Sequence, residues 1–275
     1  MAATAVPNQI VNVRGYRYEV APNENAEKSA LDQVIDFEGK SFAIYRSAKI
    51  LEGVTKLAVL HLKQVGSCSA QFGQELAGKF TNLANGLSIF RLPEVTRNAY
   101  RAVADWSVRP QGPTERTYRD QFQRIHDAAE GFATWGFALA FVTGKAWFAD
   151  AVSGPDLVSN ITDVVMGRQD RNLAARNLAE VERKHPDNAP VQQMFKDKMM
   201  HAALQTAKAV CSVLSGVLGL MVLAFGGPIL PPLPLICLGL TGTVSAVAAH
   251  FYKETSAYKL PDFPKISRAE VLRAG

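Results

Sequence analysis

Hydrophobic positions in this chain recur mostly at helical spacing. From Ala26 onward apolar residues fall three and four apart nearly to the end, with Pro and Gly gathered at a few breaks, which predicts an all-α protein. Val11 to Val20 alternates in a strand-like way, but Gly15 and the arginines allow at most a short, exposed hairpin, so residues 1–25 are expected to be irregular. The stripe Phe72, Leu76, Phe80, Leu83, Leu87 and Phe90 predicts an amphipathic helix from about Ser69 to Leu92 with that face buried. Pro93 suits the first turn of a second helix bearing Val95, Ala99, Ala102, Val103 and Trp106, and a third starts near Thr114. It runs into the aromatic stretch Gly131 to Phe148, read as a core helix with an interfacial one as the alternative. Farther on, a short helix after Ser153 and Pro155 is expected to stop at Gly167. A more polar one follows to about Lys184, where His185-Pro186-Asp187 ends it before a restart at Ala189.

The segment after Lys208 breaks this amphipathic rhythm. The 44 residues between Lys208 and Lys253 contain no Lys, Arg, Asp or Glu. They divide into two arms, Ala209 to Gly227 and Leu235 to Tyr252, each about 27–28 Å long as a helix and so just able to cross a hydrocarbon core. Between the arms Pro228, Pro231, Pro232 and Pro234 remove backbone donors and force a turn. Ser212 with Gly216, and Gly242 with Ala246, are small residues that allow the arms to pack closely. Lysines and arginines flank both outer ends, which places both termini on the cytoplasmic side of a membrane. A buried helical hairpin inside a soluble protein would produce the same pattern and stands as the alternative. The organisation expected is therefore an irregular segment (1–25), a helical domain (26–205), a hydrophobic hairpin anchor (206–253) and a basic tail (254–275).

Composition and charge narrow the function classes. A net charge of +5 without a Lys/Arg run is too little for a dedicated nucleic-acid binder. Cys68, Cys211 and Cys237 are too few for a disulfide scaffold and suit a reducing compartment. The first residues lack the layout of a cleaved secretory signal. Catalytic and nucleotide-binding spacings such as HExxH, GxSxG, CxxC and GxxxxGK[ST] do not occur. His61, His126, His185, His201 and His250 are scattered without ligand partners at metal spacing. Asp32 with Asp36 and Asp150 with Asp156 read as solvated acidic pairs. No catalytic residue, metal or cofactor is expected, and the chain reads as a binding protein rather than an enzyme.

An N-terminal region followed by two closely spaced apolar arms, here Ala209 to Tyr252, resembles the inclusion membrane (Inc) proteins of chlamydiae. That resemblance implies delivery by type III secretion, insertion into the host vacuole membrane and both termini in host cytosol. A second resemblance, through the Phe72 to Phe90 stripe, is to the peroxins that elongate peroxisomal membranes. That stripe's polar face has only Lys79 and Arg91 as cations beside Glu75, which fits a core helix better than a lipid-binding one. The resulting expectation is an all-α, membrane-anchored interaction protein, a helical bundle followed by a two-helix transmembrane hairpin. Its expected partners are membrane lipid and an unidentified protein, with homo-oligomers open and no nucleic acid. The alternative from another class is a soluble all-α pore-former or self-assembling protein that hides the hairpin until triggered.

Overall fold

The computed structural model describes residues 9–14, 16–27, 41–67, 69–106, 114–145, 147–225 and 231–261. It is all-α apart from one strand pair: a helical bundle followed by a hairpin of two long apolar helices. In chain order the elements are β1 (Gln9–Val13), β2 (Tyr16–Val20), α1 (Ser41–Gln64), α2 (Ser69–Leu87), α3 (Leu92–Ala104), α4 (Thr114–Thr143), α5 (Trp147–Ala151), α6 (Ser153–Lys184), α7 (Ala189–Phe225) and α8 (Pro232–Thr255). Short 3-10 turns occupy Glu24–Glu27 and Ser88–Arg91.

The antiparallel pair α6 and α7 forms the spine. The break at His185-Pro186-Asp187 lies between the two helices, as the sequence predicts. Gly167 does not stop α6. It sits against Thr206 of α7 with no room for a Cβ, so its role is close helix approach rather than termination. The expected boundary at 205/206 likewise falls inside one unbroken helix: α7 has 37 residues, about 55 Å. Up to Ala209 it is buried at Val191, Met194, Phe195, Ala202 and Ala209, whereas the stretch beyond exposes Leu214, Val217, Met221, Leu223 and Phe225.

Residues 9–20 are not irregular. β1 and β2 pair antiparallel with Val11 opposite Tyr18 and Val13 opposite Tyr16, and the turn holds Arg14 at φ 53°, the left-handed region that two-residue hairpin turns require. Alternation puts Val11, Val13, Tyr18 and Val20 on one face, which closes over Ala174, Val181, Val191, Met194 and Phe195 at the end of the spine. Tyr18 meets Phe195 edge-on at 5.2 Å, and buried Asn177 donates to the Tyr18 hydroxyl at 2.9 Å. The segment after the strands turns to the far end of α8. There the Asn23 side-chain amide donates to the carbonyls of Lys253, Glu254 and Ser256, satisfying acceptors that the helix end leaves open. Residues 256–261 of the expected tail return along the same segment, with Tyr258 bridged to Pro22 and Lys259 N–H donating to Ala21 O. The rest of the tail, 262–275, lies outside the described residues.

The stripe on α2 is not buried as expected. Ala70, Ala77 and Ala84 are buried, Leu76, Phe80 and Leu87 are half-buried, and Phe72 is 69% exposed, Leu83 49% and the following Phe90 71%. A small-residue face allows α2 to lie close to α1, where Gly73 meets Val59, and this leaves part of the large-residue stripe outside. α4 behaves alike: Ala129, Ala133 and Ala138 are buried, and Phe132, Trp135, Phe141 and Val142 are exposed. The aromatic stretch is therefore a core helix on its small-residue face alone, with most of its aromatic side chains outside.

Truncating the spine and truncating the outward stripe should differ sharply. Phe195→Ala is expected to destabilise the chain by about 3–5 kcal/mol, because the side chain is fully buried. Phe72→Ala should change stability by about 0.5 kcal/mol or less in neutral detergent. Urea denaturation followed by circular dichroism on both variants checks the pair.

Candidate functional site: a charged cavity beside the apolar arms

The structure distributes the expected hairpin residues among different tasks. Pro228 lies outside the described residues. Pro231 precedes α8, and Pro232 and Pro234 fall in its first turn, where amide groups have no intrahelical acceptor and their absence costs nothing. Gly242 packs α8 on α7: a Cβ there would lie 3.2 Å from the Cys211 Cβ. Ala246 is buried farther along the same helix. Gly216 instead meets Leu157 of α6, and Ser212 lines a cavity. Cys211 and Cys237 are free thiols, and Cys68 lies outside the described residues.

That cavity, about 560 Å³ and open to one side, is lined by α1, α4, α6, α7 and α8. Helical spacing on α1 turns Arg46, Lys49, Glu52, Gly53 and Lys56 to one side, and Gly53 leaves room for Leu240, drawing α8 against α1. A string of alternating charge crosses the bundle from the opposite wall. Arg91 Nη2 lies 2.6 Å from Glu130 Oε1, His126 Nε2 lies 3.5 Å from Glu130 Oε2, His126 Nδ1 lies 3.3 Å from Asp163 Oδ1, and Lys208 Nζ lies 3.4 Å from Asp163 Oδ2. Four segments of chain thus meet through one imidazole. A shorter string on α1 has Glu52 between Lys49, at 3.0 Å, and Lys56. A second cavity of about 460 Å³ shares Arg46, His126, Asp163 and Lys208 with the first and extends toward His201 and His250.

Burial and pairing set the ionisation of these groups in opposite directions. Burial opposes a charge on His126, but its hydrogen bond to Glu130 and the charges of Asp163 and Glu130 outweigh that cost and raise its pKa to about 9. Burial would raise Glu130, yet His126 and Arg91 bring it down to about 2. Glu52 follows the same rule: burial opposes its ionisation, and Lys49 and Lys56 hold the carboxyl below the usual range. For Asp156 burial prevails over Lys208 and Asn160, and its pKa rises.

The sequence reading took the histidines singly and Asp156 as a solvated acid, and so missed this assembly. Some of it was visible. The charges of α1 recur at three- and four-residue steps on an otherwise apolar helix, and His126 and Glu130 are four apart. The pairing of His126 with Asp163 and of Lys208 with Asp163 depends on how α4, α6 and α7 come together. Among the described residues no group of three or more His, Cys, Asp or Glu could hold a metal ion. No protein-family model matches the chain, and neither a curated protein nor a solved structure matches it.

The raised His126 pKa makes stability fall on the alkaline side. A histidine that binds its proton more tightly in the fold contributes fully below about pH 6.5 and loses that contribution as pH rises through about 9. Between pH 6.5 and pH 9.5 the chain is expected to lose roughly 2–3 kcal/mol. Glu130 adds an acid limb, lost as pH falls from about 4.5 toward 2. Melting temperatures against pH for the parent and for His126→Gln check the alkaline limb, which should flatten in the variant. An unchanged slope would remove His126 as its origin.

Proposed function

We propose that the chain is a membrane-anchored helical interaction protein whose apolar hairpin inserts into a bilayer while the strand-capped end of the bundle stays in water. One observation carries this reading: α7 and α8 are long and apolar enough to cross a membrane, and their most apolar stretches are only 6% and 22% buried by the rest of the chain. A hairpin serving as the core of a soluble protein would be covered. Leaving Leu214, Leu223, Phe225, Leu233 and Val244 in water would cost on the order of 1 kcal/mol or more for each side chain.

Two further features support it. The outward aromatics of α4, with Trp147 at the start of α5, give the bundle the amphipathic side chains that favour a membrane–water boundary. Asn23 and Lys259 join the N-terminal segment to the chain just after α8, so both ends of the described chain leave from one pole, as two crossings require. The partner on the aqueous side is a protein contacted by the bundle, and neither arrangement calls for catalysis. For the vacuole-membrane setting and type III secretion, the support is the two-armed architecture alone, and secretion of a reporter fusion by a heterologous type III system is its test.

Alkaline carbonate washing should leave the full chain in the membrane pellet. Recovery in the supernatant would sink the proposal in favour of a hairpin shielded by some other assembly. Tags at the two termini should share one protease accessibility in sealed vesicles. In a Trp106→Phe background, the fluorescence of Trp135 and Trp147 should be quenched by lipids brominated high on the acyl chain, and in a variant with all three tryptophans replaced by Phe, a Leu223→Trp substitution should respond to deeper bromines.

A further inference from the structure

Among the described residues, charge in the larger cavity does not balance. Their side chains supply six cations to its walls, Arg46, Lys49, Lys56, Arg91, His126 and Lys208, against four carboxylates, Glu52, Glu130, Asp156 and Asp163. Among the described residues both charge strings also end in cations. Glu52 lies between two lysines, and the longer string begins at Arg91 and ends at Lys208, so each string holds one more positive group than negative when His126 is protonated. The strings can be reached from outside, since the Arg91 and Lys56 side chains are 50% and 44% exposed. Neutral donors stand near them: the Ser215 hydroxyl is buried without a hydrogen-bond partner, and Thr134 and Ser212 line the same space.

The remaining wall has a different chemistry. Phe137 of α4 and Leu235, Ile236, Leu238 and Leu240 of α8 form an apolar side that continues into the exposed beginning of α8. A cavity of about 560 Å³ lies in the range that holds a small organic ligand. We propose that this cavity binds the phosphate group of an anionic amphiphile, with the phosphate between the Lys49–Glu52–Lys56 string and the Arg91-to-Lys208 string and the apolar portion along Leu235 to Leu240. A phosphate monoester supplies up to two negative charges and several acceptor oxygens, which suits an excess of flexible ammonium and guanidinium donors. The phosphate site stands on the cavity alone. A lipid headgroup as its source rests on the membrane reading above.

The test uses the full chain purified in dodecyl maltoside, with thermal unfolding followed during titration. The probes are inorganic phosphate and dioctanoyl phosphatidic acid; dioctanoyl phosphatidylcholine and sodium chloride at equal ionic strength are the controls. A saturable rise in melting temperature with either probe, absent from both controls, is the expected result. Saturation by phosphatidic acid alone assigns the lipid headgroup, and saturation by inorganic phosphate as well assigns the phosphate group as sufficient. Lys49→Gln with Lys56→Gln should raise the half-saturating concentration at least tenfold. Glu52→Gln, which frees the same lysines from their carboxylate, should lower it severalfold and keeps the test open if the double variant does not fold. No response to either probe, a rise that sodium chloride reproduces, or both variants shifting half-saturation in the same direction would overturn the proposal. Carbonate extraction decides the membrane reading separately, so the two can fail independently.

Discussion

The close approach of α6 to α7 is the constraint on which the rest of the molecule depends. Gly167 against Thr206, Gly216 against Leu157, and the fully buried Ala174 and Ala209 let two long helices run side by side in close contact, with Val181, Met194 and Phe195 filling the strand-capped end. Because α7 continues unbroken from a buried stretch into an exposed one, this contact also fixes the direction in which the apolar arm leaves the bundle. α8 then follows α7 back through Gly242 and Ala246, and α4 and α1 close the sides. Every group of the charged cavity is held by a helix packed, directly or through a neighbour, on this pair.

Buried charge is the second organising element. A single ionised group taken from water costs several kcal/mol, and the arrangement here reduces that cost by letting three of the cavity's carboxylates serve two cations each. Glu130 serves Arg91 and His126, Asp163 serves His126 and Lys208, and Glu52 serves two lysines on its own helix. His126 is central because its two ring nitrogens face different helices, so one side chain couples α4 to α6 and, through Asp163, to α7. Such pairing adds little net stability compared with apolar packing, but breaking it strands a charge, so it disfavours other registers of the same helices.

Much of the architecture was legible in order along the chain. The helical class, the break at residues 185–188 and the two arms follow from period, from proline and from the absence of charge. What periodicity does not contain is direction. It identified Phe72, Phe80 and Leu83 as sharing a side of α2, and the same spacing on alanines defined the side that packs. The inward rule ranks side chains by size and apolarity alone, and on α2 and α4 closely approaching helices buried small residues instead and left large apolar ones exposed. The strand pair was underestimated for another reason: ten alternating residues look too short to fold alone, and their partner surface, Val181 to Phe195, lies far along the chain. The cavity was missed because the pairs that join its helices, Arg91 with Glu130, His126 with Asp163 and Lys208 with Asp163, lie 37 to 45 positions apart and depend on helix packing that no local pattern encodes.

The hydrogen bonds of Asn23 have a consequence in time. The Asn23 amide is made roughly 230 residues before the carbonyls that accept from it, so its segment is among the last to be finished. Until α8 has been made and folded back, that segment lacks these acceptors, and contacts this remote in sequence form slowly because a long loop must close first. If the hairpin enters a bilayer as it is made, insertion comes before the seal between the two ends. A nascent chain stalled within the arms could therefore already seat its strands on Val181 to Phe195 while Asn23 still lacked its acceptors, so the joined pole is a mark of a chain made through α8.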